Sequence, residues 1–410
     1  MAGMSLAQGN SLDSYVLNAN DVIFVKMIRE EKDIDDETLC FNPEFTHQFF
    51  GDSEGIFGYV DLRVDIYYSA ARLSTYFGMS YTDKVDPKKS GGVQPDNVQK
   101  IIQEKLEVEF GTNIDDFVSS LSKESSFRPH GELLKCFTVD GEENSKQTFD
   151  VYRADVSVPG FQQYHQKMQT FILWFIDAAS FLEVDDERWE YFTIFERVIS
   201  NGDPHFFFVG YATVYRYYAY PTKVRPRISQ MFILPTFQKK GLGALMLQAI
   251  YDWYIRDPEV LDITVEDPSE NFVRLRDYVD CKNCLRLASF QPKELVKGFS
   301  EDMFQEAQEK LKIGKKQARR VFEILRLRIT NVYDAKEYRA YRLDVKNRLN
   351  APFQRQKLDY EKQKLQKTLS ADELTAALSY SNKEQRMEQL EHQYKELESE
   401  YKQVLERLSA

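Results

Sequence analysis

Apolar and polar positions run in blocks along this chain, and the period of the blocks changes twice. Near the start, Val22-Ile23-Phe24-Val25-Lys26-Met27-Ile28 and Ile66-Tyr67-Tyr68 are short runs of β-branched and aromatic residues. Such runs fit a pleated, half-buried surface. Between them lies an acidic stretch (Glu30, Glu31, Asp33, Asp35, Asp36, Glu37), and Gly91-Gly92-Val93-Gln94-Pro95 marks a loop. The pattern predicts an α+β domain over residues 14–128. Residues 1–13, polar and Gly/Ser-rich, are expected to be disordered.

From residue 129 the strand period dominates. Thr148-Phe149-Asp150-Val151-Tyr152, Glu190 to Arg197 and Phe206 to Tyr215 read as strands, with Asn201-Gly202-Asp203 as a hairpin turn. A helix is predicted from Tyr164 to Phe181, because Met168, Phe171, Ile172 and Phe175 share one face. Two further apolar runs, Met231-Phe232-Ile233-Leu234 and Val260 to Val265, flank a helical pattern (Leu242, Leu245, Met246, Ala249, Ile250, Trp253). Strands interleaved with helices over residues 129–290 predict a mixed-sheet core.

After Asp302 the helical period takes over. A helix is expected from Lys310 to Arg328 and another from Ala335 to Leu349, within a helical domain at 291–350. A charged helical tail at 351–410 carries Met387, Leu390, Tyr394, Leu397, Tyr401, Val404 and Leu408, whose steps alternate between three and four. That is a heptad seam, able to dock on the body or on a partner. The fold class expected is α+β.

The 410 residues carry a formal charge of -11, and 42% are hydrophobic, enough for packed cores. The acidic balance disfavours nonspecific duplex DNA and favours a basic partner. The basic stretch Lys310 to Arg328 reads most simply as a solvated face. No apolar run is long enough to span a bilayer, and the first residues lack a signal-peptide pattern. Four cysteines suggest no disulfide framework, so a reducing compartment is expected. Cys281-Lys282-Asn283-Cys284 has ligand spacing but no second pair, so no metal is expected and the two belong to a helix.

Chemistry concentrates around Gln238-Lys239-Lys240-Gly241-Leu242-Gly243-Ala244. A glycine turn between a strand and a helix points backbone N–H groups at one place, where the helix dipole favours negative charge. The dinucleotide template needs a third glycine, but position 246 is Met, and the Walker template needs Lys-Ser/Thr, which is absent. Glu266 closes the next apolar run, where it serves either as a base beside the cradle or as a helix cap.

The form Gln-x-x-Gly-x-Gly after a strand resembles the acyl-coenzyme A loop of the GCN5-related N-acetyltransferases. Glu44-Phe45-Thr46-His47-Gln48-Phe49-Phe50-Gly51, Val184-Asp185-Asp186-Glu187-Arg188-Trp189, Arg225-Pro226-Arg227 and Glu266-Asp267-Pro268-Ser269 extend the likeness. Together they resemble the type B histone acetyltransferase catalytic subunits, in order from about residue 20 to the end.

The resemblance implies a mixed-sheet acetyltransferase core at 129–290 that binds acetyl-CoA. It places the pantetheine arm on the backbone of Met231, Phe232 and Ile233. It places the pyrophosphate on Gln238, Lys239, Lys240, Gly241, Leu242, Gly243 and Ala244, with Ser269 also at the cofactor. Glu266 is implied as the general base, with Asp267 and Asp177 beside it; members often carry Glu where this chain has Asp177. Asp52, Glu54, Tyr215, Arg216 and Tyr217 are implied to hold the substrate, a histone H-four tail. A WD-repeat histone-binding protein of the retinoblastoma-binding type is the implied partner, in nucleus and cytoplasm. No direct nucleic acid or membrane contact is implied, and no cysteine is placed as an acetyl carrier.

Overall fold

The computed structural model describes residues 12–141, 145–183, 185–365 and 383–409. Most of the stretch expected to be disordered, part of the tail and Val184 lie outside those residues. Two compact units form: residues 1–218 with 226–253, and residues 219–225 with 254–410. The divisions expected at 128/129 and 290/291 fall inside these units.

The first unit begins with a three-stranded sheet of β1 (Ile23–Ile28), β2 (Arg63–Ser69) and β3 (Thr75–Ser80). β1 and β2 run parallel, and β2 and β3 antiparallel. The main sheet contains β4 (Glu132–Asp140), β5 (Lys146–Ala154), β6 (Trp189–Ser200), β7 (Asp203–Ala219) and β8 (Lys223–Ile233), bonded in that order. The β6–β7 turn uses Asn201 and Gly202, both at positive φ, the geometry that two-residue hairpins need.

One sequence expectation fails beneath this sheet. The helix predicted from Tyr164 to Phe181 is instead α2 (Phe161–Met168), a 3-10 turn, and α3 (Ile172–Phe175), numbered after α1 (His47–Phe50). Ile176 is extended and Ala178 has φ 52°, so the chain turns out of the helix at Asp177. Met168 to Phe175 are buried on all sides because they lie in the core, while Gln162, Gln163 and Gln166 of α2 stay exposed. Phe171 and Phe175 both stack on Phe232 of β8, with ring centroids 5.7 and 5.3 Å apart. Trp174 is fully buried and stacks on Phe49 of α1 at 3.9 Å.

β8 leads through a 3-10 turn (Pro235–Phe237) into α4 (Leu242–Ile255). A bulge at Ile194/Phe195 leaves Val209 of β7 unpaired to β6, and the Val209 carbonyl accepts from the Leu234 amide at 2.9 Å. At Gly210 the strands touch: a Cβ there would lie 2.2 Å from the Phe232 carbonyl oxygen.

The second unit holds β9 (Thr264–Val265) and helices α5 (Glu270–Cys284), α6 (Glu301–Leu311), α7 (Lys315–Ile329), α8 (Ala335–Leu365) and α9 (Lys383–Ser409). The strand predicted over Val260 to Val265 shrinks to β9 plus single bridges, Val224 to Val260 and Ile263 to Ile313. The expected Lys310–Arg328 helix is broken: Lys312 has φ 56°, and α7 starts only after Gly314. The heptad seam docks on its own unit, burying Tyr394, Tyr401 and Val404 in a core with Cys281, Cys284 and α7, while Met387 stays 62% exposed. Among the described residues no helix is long and apolar enough to cross a membrane.

Candidate active site

Gln238 to Ala244 forms the turn that the sequence predicts. Lys239 (φ 62°) and Gly241 (φ 82°) are both left-handed, and nothing lies within 4 Å of where a Gly241 Cβ would be. Glycine is therefore set there by backbone angle rather than by crowding. The Gln238 side chain donates from Nε2 to the Ile233 carbonyl at 2.9 Å, tying the turn to the end of β8. The amides of Ala244 and Leu245 reach the Gly241 carbonyl. The Leu242 and Gly243 amides, at the very start of α4, have no preceding helical turn to accept from them and carry the positive end of the dipole. Lys240 lies over the Phe237 ring at 5.5 Å, and Lys239 beside it is exposed. This arrangement fits a pyrophosphate.

In the same unit, Asp177 sits in the turn after α3 with a 71% exposed side chain, and Oδ1 lies 3.4 Å from His47 Nε2. Asp52 and Glu54, expected to act alike, differ in place. Asp52 is exposed in a turn. Glu54 is a brace: it accepts the amides of Thr46 (2.8 Å) and His47 (3.1 Å) on Oε1, and Asn20 Nδ2 (2.6 Å) on Oε2. Those backbone donors, the Thr46 amide foremost, hold its carboxyl below the usual range. With three donors of its own chain on its oxygens, Glu54 shapes the loop that carries Asp52 rather than reaching outward.

The substrate residues of β7 also divide. Alternation puts Tyr215 and Tyr217 on one face and Arg216 on the other. Tyr215 meets Trp189 and Tyr217 edge-on, with centroids 4.8 and 4.6 Å apart, and donates to Asp186 Oδ2 at 2.8 Å. Arg188 lies over Tyr215, and Arg227 over Tyr217. The Arg188 guanidinium holds the Asp186 carboxyl well below the usual carboxylate range. Arg216 instead lies 3.7 Å from Glu190, a buried acid also paired with Arg153. The sequence singles out the block from Val184 to Trp189 but gives Asp186, Arg188 and Trp189 no role of their own.

In the second unit, Glu266 follows β9 directly, and both it and Asp267 are exposed. The preceding run is firmly anchored. Arg225 pairs with the buried Asp262, the Ile263 amide donates to the Lys312 carbonyl, and Arg276 donates to the Ile263 carbonyl. Asp267 has φ 29°. Ser269 caps α5 by accepting the Phe272 amide at 3.3 Å. The cap role that competed with a chemical one for Glu266 is thus filled by Ser269. Cys281 and Cys284 are buried on α5, which pushes both thiols up. Among the described residues no group of His, Cys, Asp or Glu could hold a metal ion.

These elements have known counterparts. Residues 15–177 match the family described as histone acetyl transferase HAT1 N-terminus, residues 154–275 the acetyltransferase (GNAT) family, and residues 276–327 the histone acetyltransferase type B catalytic subunit, C-terminal. The human histone acetyltransferase type B catalytic subunit is 46% identical over 401 residues, covering 97% of this chain and 94% of that protein. The mouse protein of the same name is 45% identical over 399 residues, 97% and 95% of the two chains. A Dictyostelium discoideum relative is 32% identical, over 78% of this chain and 70% of its own.

The chain belongs to the histone acetyltransferase type B catalytic subunit family. It is an acetyltransferase with the GNAT fold, and that domain implies acetyl-CoA as co-substrate.

Proposed function

We propose that this acetyltransferase moves an acetyl group from acetyl-CoA to tail lysines of free, newly made histone H-four. Likeness over 97% of the chain to relatives named histone acetyltransferase type B catalytic subunit carries the reading. In it, the α4 amides with Lys239 and Lys240 hold the pyrophosphate, and the end of β8 (Met231, Phe232, Ile233) pairs with the pantetheine arm. Ser269 adds a hydroxyl at the helix start. Asp52 attracts the basic tail, Glu54 fixes that loop, and Tyr215 and Tyr217 flank the lysine stem. Arg216 supports the tyrosines from the opposite face through Glu190.

A lysine amine with pKa ~10.4 is neutral in only about one molecule per thousand near neutral pH, and only that form attacks a thioester. Glu266 takes the amine proton, directly or through one water, while the coenzyme leaves as its thiolate. Asp267 and Asp177 assist that proton transfer. The enzyme works with a WD-repeat histone-binding partner, in both cytoplasm and nucleus, without direct DNA contact.

Glu266→Gln tests the assignment. Removing the base is expected to lower kcat on an H-four tail peptide roughly 10²–10⁴-fold, with partial recovery as pH rises and the amine deprotonates by itself. Wild-type kcat in the variant removes Glu266 from the reaction. A tail peptide left unmodified by the wild-type protein removes the substrate assignment.

A further inference from the structure

The turn that carries Asp177 is stitched to residues 44–54 by contacts of several kinds. The amides of Glu44 and Phe45 both donate to the Trp174 carbonyl, at 2.9 and 3.0 Å. Phe49 stacks on Trp174 with an interplanar angle of 7°. Gln48 Nε2 donates to the Ala179 carbonyl at 2.6 Å. On the far side, Gln230 of β8 donates to the Ser180 carbonyl at 3.0 Å. The backbone around Asp177 is therefore fixed from two directions.

Its side chain is not fixed by the backbone. A carboxylate that is 71% exposed samples several rotamers unless something holds it. Among the described residues, the group seen against it is His47, with Nε2 at 3.4 Å. His47 is itself well held. Its amide donates to Glu54, its Nδ1 lies 3.9 Å from Glu54 Oε1, and the Phe45 ring meets it edge-on at 5.9 Å. Its side chain is only 28% exposed. One face of the imidazole thus meets a braced acid and the other meets the acid of the turn. Nδ1 lies on the Glu54 side of the ring, and Nε2 on the Asp177 side.

We infer that His47 is a positioning residue that holds the Asp177 carboxylate where it can share in proton transfer. The inference rests on the reading of Asp177 as a proton-transfer acid. A longer Glu side chain at 177 would reach further by itself; the shorter Asp leaves its aim to a neighbour.

The test is a double-variant cycle on the full-length chain with acetyl-CoA and a synthetic H-four tail peptide. His47→Phe keeps the ring and its edge contact but removes both nitrogens. It is expected to lower kcat roughly tenfold, the scale of one lost polar contact to a charged group, with KM for acetyl-CoA unchanged. His47→Gln keeps an N–H donor and is expected to recover most of that rate. In an Asp177→Asn background, His47→Phe should change kcat less than about twofold, because coupled residues are not additive. If His47→Phe lowers the melting temperature, His47→Leu takes its place in the cycle. An equal loss in both backgrounds overturns the inference, as does wild-type kcat in His47→Phe while Asp177→Asn is slow. Wild-type kcat in Asp177→Asn overturns the underlying reading of Asp177, and the inference with it.

Discussion

At the scale of single residues, the least expected group is His165. It sits on α2, fully buried, with its ring 4.5 Å from Tyr191 and 6.2 Å from Tyr211, and neither ring nitrogen has a hydrogen-bond partner among the described residues. Burial pushes its pKa down to about 4. The folded protein therefore keeps a neutral imidazole between pH 4 and 6.5, while the unfolded chain takes up a proton there. Stability from this group is complete above pH 6.5 and is lost as pH falls toward 4. Between pH 7.5 and pH 5 the loss is about 2 kcal/mol. His165→Gln, of similar size and without a titrating group, should lose less stability over that range. Urea unfolding of both proteins at the two pH values gives the difference. Equal losses would mean that His165 does not contribute to acid sensitivity.

At the scale of elements, what the sequence reveals depends on whether local pattern or tertiary contact decides the outcome. The Asn201-Gly202 turn and the turn from β8 into α4 are set by backbone angles that few residues tolerate, so they are legible. The helix expected through Phe181 fails because the run from Met168 to Phe175 is buried on all sides, which the spacing of one apolar face does not report; nothing local reports the turn at Asp177. The strand expected to Val265 is reduced to bridges because its anchors, Arg225 and Arg276, come from distant parts of the chain. Site residues follow the same rule. Glu54 and Asp52 look alike in sequence, and only the folded loop shows that Glu54 is enclosed by amides.

Gly210 is another tertiary requirement. A methyl there meets the Phe232 carbonyl at 2.2 Å, so β8 must move. Gly210→Ala is expected to cost about 1–3 kcal/mol and to raise KM for acetyl-CoA, since β8 leads into the turn proposed to hold the phosphates. Gly202→Ala is the control. Its φ of 90° makes it strained, at about 1–2 kcal/mol, but it has open space around it and should leave KM unchanged. Urea unfolding and steady-state kinetics separate the two; an unchanged KM in Gly210→Ala would show that β8 absorbs the shift.

At the scale of the whole molecule, the charge pattern changes meaning once the second unit is folded. The basic stretch around α7 reads in sequence as a solvated face, yet its central arginines point inward. Arg319 reaches Glu323 and Asp344, and Arg320 reaches Asp277 and Glu400. Glu323 is fully buried. It also accepts both Nε (2.6 Å) and Nη2 (2.8 Å) of Arg348 on α8 and the Tyr401 hydroxyl on α9 (2.8 Å). One carboxylate thus joins three helices, including the tail helix with the heptad seam. An ion group of this kind adds little over a well-packed apolar replacement, but losing one partner leaves charges buried without compensation. Glu323→Gln keeps the shape and removes the charge, leaving Arg319 and Arg348 facing a neutral amide. It is expected to destabilise the second unit by about 3–5 kcal/mol. Exchange of α9 backbone amides with solvent should rise in the variant, as the tail helix loses its anchor. The exposed pair Lys100–Glu104 gives the comparison, since Lys100→Ala there should cost no more than about 0.5 kcal/mol. Unchanged α9 protection in Glu323→Gln would show that apolar contacts of Tyr394, Tyr401 and Val404 hold the tail without the carboxylate.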